Sequence, residues 1–439
     1  MTPVDTVIHA RWIIPVEPAS VTLENHALAI KNGRIVDLLP SADAGARYHA
    51  YHTEHLPDHA LLPGLVNCHT HAAMNLMRGI ADDLPLMEWL QGHIWPLEQH
   101  WMGESFVKDG TDLAIAEMLR GGTTCFNDMY FFPNITAQQA LQSGIRACVG
   151  FVVIDFPSVW AESSDDYLHK GLALYDALHG QPLITSSFAP HAPYTVSDEP
   201  LQKIRGYAHE RNIPINMHVH ETLFEVEQAA QHTGKRPLQR LHELGLLSPS
   251  FIAVHMVHLT DAEIALVAEQ GAHIVHCPES NLKLASGFCR VADCLAAGIN
   301  VALGTDGAAS NNDLDMFGEM RIAALLAKAV ANDAGAVPAM TALRMATING
   351  AKALGLDNEI GSLEVGKAAD VIAIDLSVLE TQPLFNPVSQ IVYAASRQQV
   401  TDVWVAGQQL LNKRQLTTLD SEALKTRIAN WQQRLSGVR

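Results

Sequence analysis

The stretch "LLPGLVNCHTHAAM", residues 61–74, begins as an apolar run and ends in two histidines, His69 and His71, two positions apart. Alternation along a strand puts residues i and i+2 on one face, with Cα atoms roughly 6.6 Å apart. Two imidazoles at that spacing can converge on one metal ion, while Cys68 and Thr70 point the other way, into the layer between strand and helix. Among 22 histidines such a pair also arises by chance. The rest of the chain has to discriminate.

Seven further apolar runs resemble the first. They are "TTCFNDM" (123–129), "RACVGFVVI" (146–154), "LITSSFAPHAP" (183–193), "IPINMHVHE" (213–221), "FIAVHMVHL" (251–259), "AHIVHCPES" (272–280) and "NVALGTDG" (300–307). Helical stretches such as "DGTDLAIAEMLRGG", "EPLQKIRGYAHERN" and "TDAEIALVAEQG" lie between them, the last with Thr260 as N-cap and Gly271 as stop. Eight strands alternating with helices over residues 62–370 predict a (β/α)8 TIM-like barrel. No G-x-G-x-x-G follows the first strand, which argues against a dinucleotide-binding sheet.

The ends of the chain differ. Residues 1–61 read as short strands with an Asn-Gly turn at 32–33, and 371–439 as further strands, an Ala-Gly turn at 406–407 and a closing helix at 421–436. Both predict one small composite β-sandwich domain built from the two termini.

Hydrophobic residues make up 48% of the 439 and charged ones 17%, a globular balance. The formal net charge of −18 speaks against nucleic acid and anionic membrane as partners. No apolar run approaches the ~20 residues of a membrane span, and "MTPVDTVIHARWIIPVEP" lacks the pattern of a secretory leader. The six cysteines show no C-x-x-C spacing. Reduced thiols in a cytoplasmic protein are therefore expected.

In a barrel of this kind the chemistry sits where strands end. "NMHVHE" closes the fifth run with His218, His220 and Glu221; alternation orients the two histidines alike, and Glu221 falls where strand turns into helix. A carboxylate there can curl over a metal as a proton shuttle, or simply favour a helix N-terminus. Asp306 ends the eighth strand, which in a closed barrel lies beside the first and so near His69 and His71. His255 ends the sixth, with His258 beyond it as a loop residue. Three nitrogens and a carboxylate from strands one, five and eight make a mononuclear site that leaves a position for water.

The segments "PGLVNCHTHAAMNLMRGIADDLPLMEWL", "APHAPYTVS", "HVHET", "CPESNLKLASG" and "LGTDGAASNN" resemble the metal-dependent amidohydrolase superfamily, and within it the nucleobase-deaminase branch that contains the 5′-methylthioadenosine/S-adenosylhomocysteine deaminases. The likeness runs over essentially the whole chain, including "NGAKALGLDNEIGSLEVGKAADVIAIDL" at 349–376. It implies His69, His71, His218 and Asp306 as ligands of one zinc ion, Glu221 as acid/base and His255 beside the attacking water. Glu98 in "HIWPLE" matches a contact to nucleoside hydroxyls, and His191 in "APHAPY" a substrate contact. On their own these two read as a solvated helix acid and a strand-end donor. Dinuclear relatives carry a bridging lysine after the third or fourth strand; "VVIDF" and "FAPHAP" have none, which implies a single metal.

The implied reaction replaces the amino group at C6 of an adenine nucleoside by oxygen and releases ammonia. Trp89 and Trp95, in "DDLPLMEWLQGHIWPLE" (82–98), are candidates to cover an apolar ligand. An S-adenosylhomocysteine carboxylate calls for arginine, yet "GFVVIDFPSVWAESSDDYLHK" (150–170) has none, which favours 5′-methylthioadenosine or adenosine. Relatives are commonly homo-oligomers, and a homo-oligomer is expected here. The alternatives are a hydrolase of another heterocycle, triazine or guanine-like, on the same barrel, and a barrel without catalysis. The cytidine-deaminase signature, H-x-E with P-C-x-x-C, is missing, since "HCPES" holds one cysteine.

Overall fold

A computed structural model describes residues 1–436. The chain enters through β1 (Thr2–Ile13), β2 (Leu23–Lys31), β3 (Arg34–Pro40) and β4 (Tyr48–Pro63). It continues into β5 (Leu65–Thr70), β6 (Thr123–Tyr130), β7 (Arg146–Val153), β8 (Ile184–Pro190), β9 (Ile215–Val219), β10 (Phe251–His255), β11 (His273–His276) and β12 (Val301–Leu303). It ends in β13 (Val371–Asp375), β14 (Val400–Val405), β15 (Gln408–Asn412), β16 (Gln415–Leu416) and the helix Ser421–Ser436. Each of the eight apolar runs holds one barrel strand.

Strands β5 to β12 pair in parallel in chain order and form the barrel. They are almost wholly buried, the continuous apolar reading of strands covered on both faces. The other eight strands form one continuous sheet in the order β16-β15-β14-β13-β4-β1-β2-β3, so both termini contribute to it as expected. The turns at Asn32-Gly33 and Ala406-Gly407 all have positive φ, the hairpin geometry that Asn-Gly foretells. Thr260 caps the helix Asp261–Gln270 with Glu263 in a capping box, and Gly271 ends it.

The opening stretch is two strands rather than one. Leu61 to Pro63 finish β4 and pair with β13, and Leu65 begins β5 against β6. Gly64 makes the change of sheet: a Cβ there would lie 1.9 Å from Thr124 Oγ1, so no side chain fits. An apolar run reads alike in either sheet, which is why the sequence shows no break.

The six cysteines are buried and free. No helix among the described residues is long and apolar enough to cross a membrane.

Candidate metal centre and pocket

The barrel closes at its seam through the Asn67 side chain and one backbone hydrogen bond. Asn67 Nδ2 donates to Thr305 Oγ1 at 2.7 Å, Thr305 N–H donates to Asn67 Oδ1 at 3.1 Å, and Asp306 N–H donates to the His69 carbonyl at 3.0 Å. This brings the end of β12 against the end of β5. His69 Nε2 and His71 Nε2 then stand 3.5 and 3.1 Å from Asp306 Oδ1. Cys68 points outward, as alternation requires, onto the helix Ile348–Ala353, where a Cβ on Gly350 would lie 2.8 Å from its sulfur.

His218 enters from β9, its Nε2 3.0 Å from His69 Nε2. One ligand atom from each of His69, His71, His218 and Asp306 lies within 4.8 Å of the others. The hydrogen bonds reveal what they lack. His71 Nδ1 donates to the Met129 carbonyl at 2.6 Å and His218 Nδ1 to the His191 carbonyl at 2.7 Å. Their Nε2 atoms are therefore the positions left over, and they converge with a carboxylate on one point; against burial, which lowers it, the Asp306 carboxylate raises His71 to about 9, so a bound cation would displace a proton there. Such a set fits a cation, and imidazoles with a carboxylate and committed Nδ1–H groups fit a transition metal such as zinc. Ser280 and Ser310 hydroxyls donate to Asp306 Oδ2 at 2.7 and 2.8 Å, leaving Oδ1 to the histidines.

His220 does not join His218. β9 ends at Val219, and His220 has φ +53°, which swings its ring away so that its Nε2 accepts from the Leu238 N–H at 3.2 Å. Glu221 is thereby delivered to the pocket. Its Oε2 lies 3.9 Å from His255 Nε2. Burial, together with the Asp306 carboxylate and against the pull of His71, pushes Glu221 up to about 8, so it carries a proton at neutral pH. His255 is buried, with Nδ1 2.9 Å from Asn281 Oδ1, which leaves Nε2 as an acceptor. Burial lowers its basicity, partly offset by Asp306 and Asn281. His258 lies past the strand, on the Ser286 carbonyl.

A cavity of about 490 Å³ opens over this group, and the candidates drawn from the sequence meet in it: Trp89, Trp95, Glu98, His191, Glu221 and His255 all line it. Trp89 is buried and Trp95 half-buried. The covering segment is irregular, running Leu86–Trp89, a π-turn at Leu90–Ile94 and Trp95–Trp101. Glu98 accepts from the Tyr130 hydroxyl at 2.6 Å; burial raises its carboxyl to about 7, with Tyr130 and His71 opposing. No arginine or lysine lines the cavity among the described residues.

Several contributors escaped the sequence reading: Asn67, Tyr130, Glu225, Ser280, Asn281, Thr305, Ser310 and Glu319. Glu319, fully buried, accepts from Asn311 Nδ2 at 2.5 Å and from the Glu279 N–H at 3.2 Å, and so ties together the two loops that carry Ser310 and Ser280. These residues lie within or beside the quoted motifs, but nothing in their identity or spacing announces a contact made only after folding.

Residues 60–410 match the model of the amidohydrolase family. A 5-methylthioadenosine/S-adenosylhomocysteine deaminase of Teredinibacter turnerae is 51% identical over 438 residues, covering 100% of this chain and 99% of its own. The crystal structure of an adenosine deaminase from Xanthomonas campestris with bound zinc superposes with a TM-score of 0.98 at 55% identity, over 99% of each chain. An atrazine chlorohydrolase from Arthrobacter aurescens, with zinc, shares the fold at a TM-score of 0.91 and 22% identity, covering 97% of this chain and 99% of its own. With a family model spanning most of its length and relatives similar from end to end, this chain belongs to the amidohydrolase family.

Proposed function

We propose that the chain hydrolytically deaminates an adenine nucleoside at C6, with 5′-methylthioadenosine as preferred substrate and one zinc ion held by His69, His71, His218 and Asp306. The observation that carries this reading is that a buried glutamate, Glu221, shares one cavity with the His–Asp cluster and with Glu98, its Oε2 3.9 Å from His255 Nε2. The names of the relatives from Teredinibacter turnerae and Xanthomonas campestris support it.

When bound, the metal supplies the Lewis acidity that makes a water molecule nucleophilic near pH 7. The protein's own groups do the rest. Attack of water oxygen on C6 pushes electrons onto N1, and Glu221 donates its proton there. The water proton has two acceptors at hand, His255 Nε2 and the Asp306 carboxylate. Ionised Glu221 then takes up that proton and hands it to the departing amine; as the C6–N bond breaks, the proton left on the C6 oxygen returns Glu221 to its acid form, so that water enters, ammonia leaves and an adenine ring becomes hypoxanthine. Glu98 accepts from the ribose hydroxyls, His191 contacts the substrate, and Trp89 and Trp95 exclude water from the ring.

A pocket wall without arginine or lysine suits an apolar 5′ substituent and leaves a homocysteine carboxylate uncompensated. Ammonia release from 5′-methylthioadenosine, adenosine, S-adenosylhomocysteine, guanine and a chlorotriazine, with zinc content measured in parallel, tests the proposal. Methylthioadenosine should exceed S-adenosylhomocysteine in kcat/KM by about tenfold or more; equal values would sink the preference, and release from only guanine or triazine would sink the reaction. We also assign residues 1–61 and 371–439 to the β-domain and 62–370 to the barrel, and expect a cytoplasmic homo-oligomer.

A further inference from the structure

Glu221 leaves the barrel where the backbone is irregular. His220, at φ +53°, occupies the left-handed region, which costs of order 1–3 kcal/mol and persists only when its surroundings hold it. Successive N–H groups around such a residue can turn to one side and form a concavity for an anion. Here the acceptor is a side-chain carboxyl of the same chain, which burial raises to about 7 against the pull of the two N–H groups it meets. Glu225 Oε1 accepts from the His220 N–H at 3.1 Å and Oε2 from the Glu221 N–H at 2.9 Å. The other side of the turn is also held, since the His220 carbonyl accepts from the N–H groups of Val257 and His258 at 3.0 and 3.3 Å.

Glu225 is itself fixed. It lies in the first turn of the helix Leu223–Thr233, is 7% exposed, and its N–H donates to the capping Thr222 hydroxyl at 3.2 Å. A capping glutamate ordinarily reaches back to the N-cap N–H. This one reaches beyond Thr222, to the two residues before it, and the second of those is Glu221. It does not line the cavity.

We propose that Glu225 is the positioning residue for Glu221: its carboxylate fills the nest made by the His220 and Glu221 N–H groups and so sets where the Glu221 side chain departs from the strand. The inference rests on the reading of Glu221 as proton donor. A displacement of that donor weakens proton transfer while leaving ground-state binding and the metal cluster in place, because the ligands are held by other contacts.

The test uses full-length, metal-loaded Glu225→Ala and Glu225→Gln, assayed on 5′-methylthioadenosine with metal content and melting temperature measured alongside. Glu225→Ala should lower kcat about 100-fold with KM within about threefold of the parent and full metal content. Glu225→Gln keeps one acceptor oxygen and should recover about tenfold of that loss. The inference is overturned if either variant keeps kcat within about threefold of the parent, if the loss lies in KM, or if kcat falls only together with metal content. Should the alanine variant not fold, the glutamine variant decides alone, a tenfold lower kcat at unchanged KM and metal supporting the role. Glu221→Gln is run beside them. If it retains turnover, the proton-donor reading fails; if it is inactive while the Glu225 variants match the parent, only this inference fails.

Discussion

Asn67 on β5 and Thr305 after β12 clasp each other through two hydrogen bonds, 2.7 and 3.1 Å long, across the seam where the barrel closes. Both residues are fully buried. The clasp sits two residues before His69 in the chain and one before Asp306, so the same contact that shuts the barrel sets the spacing of the metal cluster. Replacing Asn67 by Ala strands the Thr305 N–H and takes the donor from the Thr305 hydroxyl, which keeps only its bond to the Asp306 carbonyl at 3.1 Å. We expect a loss of about 1–3 kcal/mol in denaturant unfolding, with weaker metal retention on dialysis. A variant of unchanged stability and metal affinity would contradict the role of the seam.

Removing a bound metal leaves three imidazoles and a carboxylate packed together in the protein interior, with His71 Nε2 in contact with Asp306 Oδ1 at 3.1 Å. Chelation should abolish turnover and lower the melting temperature, with both restored by zinc. At a thousandfold excess of metal over Kd the stabilisation amounts to about 4 kcal/mol. Asp306→Asn should fail to hold a full equivalent of metal in elemental analysis, because two serine hydroxyls and two imidazoles are arranged around a carboxylate.

The rate should fall on the alkaline side. Glu221 must carry a proton to donate one, and burial with the Asp306 carboxylate raises it to about 8. Below that pH the acid is present, and above it kcat declines as the proton is lost, about tenfold per unit. A pH–rate profile flat to pH 10 would remove Glu221 from the role.

Among the described residues, Tyr130 gives the Glu98 carboxyl its one hydrogen bond, at 2.6 Å. Burial raises the Glu98 carboxyl and this hydroxyl opposes the rise, so Tyr130→Phe should push it higher still and leave less carboxylate to receive the ribose hydroxyls. The expected result is a KM for nucleosides raised about tenfold at neutral pH with a smaller change in kcat, easing as pH increases.

The helix Ser421–Ser436 braces the pocket cover from behind. Trp431 is buried, donates from Nε1 to Asp109 at 2.8 Å, and meets Trp101 and Phe106 edge-on. It belongs to the same apolar cluster as Leu86, Trp89 and Ile94 of the cover. Trp431→Ala should cost about 3–5 kcal/mol in unfolding experiments and raise KM, although the residue touches no substrate.

The barrel was legible because eight buried parallel strands leave eight apolar runs, and the position of the site because polar residues close those runs. His69, His71, His218, Glu221, His255 and Asp306 could be named from their place at strand ends, with the family likeness fixing which of His218 and His220 belongs. Period-two alternation alone orients those two alike; the left-handed turn at His220 separates them, and that turn is imposed by Glu225 and by the loop after β10. The break at Gly64 was hidden for a related reason, since hydropathy is blind to which sheet a strand joins. The tertiary structure alone decided the seam between Asn67 and Thr305, 238 residues apart, the serines on Asp306 and the Tyr130–Glu98 contact. A side chain's type reports what it can bond with. Its partner is settled only when chain closure brings distant segments within about 3 Å and burial makes an unmade hydrogen bond costly.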